Sequence, residues 1–213
     1  MNNHTIHSAF PCPILFTKRD TDLSPEEEKE IEDIVKEGMN IYTYSGSNSS
    51  SNNTNIFDDG KLKKIKQFCE EHIKIYVEQV INPKEELDFY ITQSWLNITK
   101  PGERHQSHWH SNSIISGVFY ISTVEDDSIT FRDPNQRIKE TIKFDEPKEY
   151  NIWNSVSWNI PVGNNELILF PAWLEHSVKP NEKATTDRIS LSFNTFVKGT
   201  LGNRSNLNEL ILK

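Results

Sequence analysis

From Leu87 onward the chain is divided into short runs of β-branched and aromatic residues: FYITQSWLNI, IISGVFYIS, SITFRD, ETIKF, SVSWNIPV, ELILFPAW and RISLSFNTFV. Turn-forming pairs such as Pro101-Gly102, Asp133-Pro134 and Gly163-Asn164 separate them. Such side chains suit a pleated, half-buried surface, and Gly and Pro end it by freeing or fixing the backbone. About seven or eight strands at this spacing, with no internal repeat, restrict the second half of the chain to a sandwich or barrel.

The first 86 residues have a different texture. After a strand near Pro13 to Thr17, the run Ser24-Pro25-Glu26-Glu27 sets a hydroxyl at a helix N-cap, Pro at the first helical position and Glu three residues after the cap. Ile31, Ile34, Val35 and Met39 then follow at helical spacing and form one buried stripe. A second amphipathic helix is expected between Asp58 and Ile81, with Leu62, Ile65, Phe68, Ile73, Tyr76 and Ile81 on its apolar face. Between them, YSGSNSSSNNTNI (44–56) is too polar to build core and reads as a mobile loop, either lid or linker.

A chain of 213 residues with five Trp, eleven Phe and six Tyr can bury enough surface for one core. The expectation is one domain over 1–213: a helical support region over 1–86, a β core over 87–198 and a C-terminal tail over 199–213. Lys and Arg total 23 against 31 Asp and Glu, a net charge of −8 with no basic stripe, so nucleic acid is not an expected partner. Cys12 and Cys69 are far apart, which suggests neither a disulfide framework nor a thiolate metal site. No apolar run is long enough for a membrane span and the N-terminus lacks the pattern of a secretory leader, so the expected setting is cytoplasmic, with no membrane partner.

The chemistry is concentrated in the histidines. His105, His108 and His110 lie just before the strand IISGVFYIS, and His176 lies just after LILFPAW. Residues two apart on an extended segment point to the same side, so His108 and His110 can aim at one point that His176 approaches from another segment; His105 faces elsewhere unless the Pro-Gly loop bends it inward. An HxH and a distant His can supply three neutral ligands and leave metal positions open. Alone, an HxH is weak evidence, since such pairs also occur on surfaces without a metal. Arg188 lies 12 positions beyond His176 (188 minus 176), and Ser190 shares its side of the strand. That pair can fork a carboxylate and add a hydroxyl donor. Trp95, Asn97 and Asn194 sit on neighbouring strands as candidate pocket residues, though a core Trp or hydrogen-bonded Asn is an equal account of each. Glu175 should point away from His176, while Asp126, Asp127 and Asp133 read as turn and surface groups. Trp153 and Trp158 read as barrel packing.

Over roughly 87–198 the sequence resembles the Fe(II)- and 2-oxoglutarate-dependent oxygenases. Their double-stranded β-helix, a cupin-like jelly roll, carries HxD or HxE, then a distal His, then an Arg or Lys about ten residues later. Pro101-Gly102, His108-Trp109-His110 and Ser116-Gly117-Val118-Phe119-Tyr120 resemble a bacterial and phage group within it that has an HxH. The resemblance implies an α+β, mainly β fold with two N-terminal helices. It makes His108, His110 and His176 ligands of Fe(II), and Arg188 with Ser190 partners of the distal carboxylate of 2-oxoglutarate. Molecular oxygen is the implied second co-substrate, and the implied reaction is hydroxylation of a small molecule or a protein side chain. The imidazole of His110 departs from the acidic ligand of most relatives. Two other readings stay open: a three-histidine cupin-like enzyme that uses no 2-oxo acid, and a non-catalytic barrel whose histidines hold structural zinc or nothing.

Overall fold

The computed structural model describes residues 4–41, 47–133, 142 and 145–213. Two helices, α1 (Pro25–Glu37) and α2 (Lys63–Tyr76), accompany twelve strands among the described residues. The strands are β1 (Leu15–Lys18), β2 (Met39–Ile41), β3 (Ser49–Ser51), β4 (Asp88–Thr99), β5 (His105–His108), β6 (Ile115–Ser122), β7 (Ser128–Arg132), β8 (Ser157–Pro161), β9 (Glu166–Pro171), β10 (His176–Val178), β11 (Arg188–Leu201) and β12 (Leu210–Leu212). A large sheet runs β1-β9-β6-β11-β4-β3-β2, with β12 folded back on β11, and a small sheet runs β5-β10-β7-β8. This is the jelly roll expected from the sequence.

The alternation of side chains along β6 and β9 explains why both strands are apolar without a break. Ile115, Phe119 and Ile121 of β6, with Leu167 and Leu169 of β9, face the helices and pack with Ile34, Ile65, Cys69 and Ile73. The intervening Val118, Tyr120, Ile168 and Phe170 face the small sheet and pack with Ile129, Phe131 and Leu174. A strand buried on both faces needs no polar alternation. Gly117 serves the same packing: a Cβ there would lie 2.2 Å from the Phe193 ring tip, so only hydrogen lets the ring cross the strand.

α1 and α2, of 13 and 14 residues, are at a length where isolated helices are marginal in water. Their hold on the sheet comes from the buried stripe, at ~2 kcal/mol for each fully buried Ile or Phe side chain. The Ser24 cap and its reciprocal bond with Glu27 form as the sequence predicts. Glu27 also accepts from Arg19 at 2.7 and 3.1 Å, tying α1 to the end of β1.

Three expectations need correction. α1 ends at Glu37 and Gly38 turns the chain, so Met39 opens a strand rather than extending the helical stripe. α2 begins at Lys63 after Leu62 in a left-handed conformation, and Val77–Ile81 widens into a π-turn, so the expected Asp58 to Ile81 helix is shorter at both ends. Within 44–56, the described residues include β3, paired with β4, and Ser51 and Ile56 are buried. Small hydroxyls satisfy the backbone there: Ser51 Oγ accepts from Leu96 N at 3.0 Å, which lets a polar segment lie under a fold. Residues 42–46 and most of the expected strand ETIKF lie outside the described residues. No helix among the described residues is long and apolar enough to cross a membrane.

Candidate metal centre and co-substrate pocket

His176 of β10 stands opposite His108 of β5 and, on its other side, opposite Phe131 of β7. Residues opposed across an antiparallel ladder project to the same face, here the one turned toward the large sheet. His110 lies just past β5, where its backbone N–H donates to the Ala172 carbonyl at 2.9 Å and fastens it to the turn after β9. The three rings converge: one ligand atom from each of His108, His110 and His176 lies within 4.8 Å of the others. Ring centroids are 4.3 Å apart for His108 and His176, 5.1 Å for His108 and His110, and 5.2 Å for His110 and His176.

Hydrogen bonding selects the tautomers. His108 Nδ1 lies 2.8 Å from the Gln106 carbonyl and His176 Nδ1 lies 2.9 Å from the Leu174 carbonyl. A carbonyl only accepts, so both Nδ1 atoms carry the proton and both Nε2 atoms keep a lone pair. Burial, reinforced by His108, holds His110 down to about 4, and burial holds His176 well below the ordinary histidine value. His108 is also lowered, chiefly by burial. The cluster is therefore neutral at pH 7, the form that binds a cation.

His105 is stacked on His108 at 4.3 Å and held down to about 3 by burial and by His108 and Arg188. It lines the same cavity but is not in the converging group. Glu175 points to the opposite face, accepting from Ser107 Oγ at 2.5 Å and pairing with Arg132 at 3.6 Å.

From the histidines the cavity runs along the inner face of β4, β11 and β6. Strand register arranges its polar lining in rows: Thr99 beside Arg188, then Asn97, Ser190 and Tyr120, then Trp95, Ser192 and Val118. Asn97 accepts from Ser50 at 2.7 Å and donates to Ser192 at 2.9 Å. Trp95 lies 5.9 Å from His110, ring to ring. Asn194 is the next inward residue; it accepts from Ser116 at 2.7 Å and is not among the cavity-lining residues.

Arg188 is buried at the far end, its guanidinium carbon 5.0 Å from the centre of the Tyr120 ring. Its Nε donates to both carboxylate oxygens of Asp127, at 3.1 and 2.9 Å. Asp127 is thus no surface group. It is 7% exposed, fixed by its own backbone bonds to Val124 and Val162, while neighbouring Asp126 takes the exposed, positive-φ position of the turn. Burial pushes the Asp127 carboxyl up and the guanidinium pulls against it. Trp153 and Trp158 are 40% and 45% exposed rather than packed: Trp153 lies in a turn before β8, and Trp158 is on β8, the outer edge of the small sheet.

Tyr120 is a pocket residue that the site reading of the sequence does not assign. Its hydroxyl is buried beside the Arg188 guanidinium, which can only donate to it, so the phenolic proton finds no acceptor among the described residues, and burial raises its pKa, so it remains a donor. The signal available in the sequence was the period of two in Ser116-Gly117-Val118-Phe119-Tyr120, which sets Tyr120 on the inner face.

Fold and pocket together define a jelly-roll protein with three converging neutral histidines at one end of a cavity and a buried arginine at the other. Residues 93–194 match the model of the family described as "Putative 2OG-Fe(II) oxygenase". No curated protein sequence matches the chain. Among solved structures it is similar to a prolyl-4-hydroxylase from Pseudomonas putida, with a TM-score of 0.51 and 14% identity over 84% of this chain and 91% of that one. It is also similar to HygX from Streptomyces hygroscopicus, solved with nickel, 2-oxoglutarate and hygromycin B (TM-score 0.54, 10% identity, 86% and 82% covered). An oxidoreductase of the 2OG-Fe(II) oxygenase family from Burkholderia pseudomallei gives a TM-score of 0.54 at 9% identity over 85% and 84%. At these identities the likeness is one of fold.

Proposed function

We propose that the chain is an iron(II)- and 2-oxoglutarate-dependent oxygenase that hydroxylates an organic substrate. In this reading His108, His110 and His176 hold the metal, and Arg188, Ser190 and Tyr120 hold the distal carboxylate of the 2-oxo acid. The observation that carries it is the Tyr120 hydroxyl: a buried O–H whose proton has no acceptor among the described residues, beside a buried guanidinium that can only donate, in the cavity that the histidines close. Such a donor costs stability unless a ligand accepts from it. The metal end fits equally well. Two imidazoles present Nε2 lone pairs by tautomer, a three-ligand set leaves positions free, and structural zinc would ask for a fourth ligand that the converging group lacks.

Iron and the 2-oxo acid, when bound, supply oxidising power through decarboxylation of the acid by molecular oxygen; the remaining work belongs to the protein. Phe170 and Ile129, backed by Phe131, form a dry wall beside the histidines. Arg188 and Tyr120 fix the far end of the acid and so set the direction of its keto end. Trp109 and Trp173, 62% and 53% exposed next to the ligand segments, offer apolar surface to the substrate. A three-histidine enzyme without a 2-oxo acid would have no use for Arg188 and Tyr120 at this depth.

The test is anaerobic titration with iron(II) and then 2-oxoglutarate, read by the metal-to-ligand charge-transfer absorption in the visible range. The band is expected in wild type, lost in His176→Ala and weakened in Arg188→Ala. Folded, iron-loaded wild type that gives no band overturns the reading.

A further inference from the structure

Resting on that function, we propose that Asp127 is a positioning residue that sets how strongly the pocket prefers a dicarboxylate over a monocarboxylate 2-oxo acid. Asp127 does not line the cavity; it stands behind Arg188 and takes only the Nε edge of the guanidinium. That edge contact leaves the two terminal nitrogens directed away from Asp127, on the side of the planar fork that can receive a second carboxylate.

The charge distribution is the second part of the argument. Among the residues lining the cavity there is no carboxylate, and the sole permanent cation is Arg188. Three neutral imidazoles leave the full charge of a dication at the metal end. At the far end Asp127, 4% exposed in its side chain, cancels the charge of Arg188 across 2.9 Å. An acidic ligand in place of His110 would put a carboxylate beside the metal; here the lining has none there, and the one buried carboxylate of the site stands beside the arginine instead. The total still balances the two charges of a 2-oxo dicarboxylate. The positive surplus lies at the keto-acid end, which every 2-oxo acid shares, while the distal end is held by oriented hydrogen bonds from Arg188, Tyr120 and Ser190 with little net attraction. Discrimination by the distal carboxylate is correspondingly shallow, and Asp127 is the residue that makes it so.

Calorimetric titration of the anaerobic, iron(II)-loaded protein with 2-oxoglutarate and with 2-oxovalerate, which lacks the distal carboxylate, reads this preference directly. Asp127→Asn keeps an acceptor for the Nε–H and removes the charge. It should increase the preference for 2-oxoglutarate about tenfold, through tighter binding of that acid alone. It should also lower the melting temperature of the ligand-free protein and enlarge the rise that 2-oxoglutarate gives, because an uncompensated buried cation then waits for the ligand. Asp127→Glu, which keeps the charge, should hold the preference within about twofold of wild type. A purely structural Asp127 would lower the melting temperature of Asp127→Asn and leave the preference where it was; that result, or a fall in preference, overturns the proposal. If Asp127→Asn does not fold, Asp127→Ser, whose hydroxyl accepts the same N–H, carries the same expectations. Wild type that binds neither acid would instead remove the proposed function, so the two failures are separable.

Discussion

His176 and His108 share one local geometry: each ring donates its Nδ1 proton to the backbone carbonyl two residues before it, Leu174 at 2.9 Å and Gln106 at 2.8 Å. The two rings face one another across the β5/β10 ladder with centroids 4.3 Å apart. Backbone, not side chains, therefore orients both, and removal of either ring should not disturb the other. His108→Ala and His176→Ala are each expected to fold and to lose iron(II) affinity by more than about a hundredfold, more than loss of an outer hydrogen bond to a ligand usually costs. Competition with a metal-sensitive dye measures it.

Tyr120→Phe separates binding from stability. The hydroxyl proton has no acceptor among the described residues, so its removal should leave the melting temperature nearly unchanged. Affinity for 2-oxoglutarate should fall about tenfold, the scale of one hydrogen bond to a charged group. A drop in both would show that the hydroxyl serves the fold instead.

The metal-free protein should lose stability on mild acidification. His105 and His110 are held down to about 3 and about 4 by burial, whereas the unfolded chain takes up those protons near pH ~6.5. Between these values the unfolded state binds more protons, so stability rises with pH: it is complete above about pH 6.5 and falls as pH drops toward 4. Melting temperatures from pH 7 to 4 should show the slope, and His105→Leu should make it shallower. An unchanged slope would show that His105 does not contribute to it.

Glu27→Gln tests the joint between α1 and the β core. Its carboxylate accepts from the Arg19 guanidinium and from the Ser24 N–H, and both Arg19 and Glu27 are buried. Burial opposes its charge, but these bonds win and lower its pKa. Loss of one partner of such a pair costs about 3 kcal/mol, readable from urea denaturation at pH 7. The penalty should shrink as pH falls through the carboxylate range, because a pKa lowered by folding contributes stability only above it.

Gly117→Ala would place a methyl 2.2 Å from the Phe193 ring tip. The strand is central and the ring buried, so the clash should destabilise by about 1–3 kcal/mol or prevent folding. Gly117→Ala with Phe193→Leu should recover part of the loss.

The sequence by itself determined the strand-rich core, the capped first helix, and which histidines can share a side. These are local matters: a period of two or 3.6 and the chemistry of a cap act within a few residues. It did not determine how a Ser-rich segment would be treated. β3 is acceptable because β4 offers partners such as Leu96 N, 45 positions away, and no local pattern encodes that. The same holds at the site. Arg188 was legible as a carboxylate fork, but its partner Asp127 lies 61 positions away in sequence and reads locally as a turn residue. Tertiary structure alone decided that Asp127 is buried, that the Tyr120 hydroxyl lies beside Arg188 with its proton unclaimed, and that His105 stacks on His108 inside the cavity. Burial and cross-strand register are properties of the whole packed sheet, and they turn ordinary residues into a neutral metal cradle facing a compensated cation.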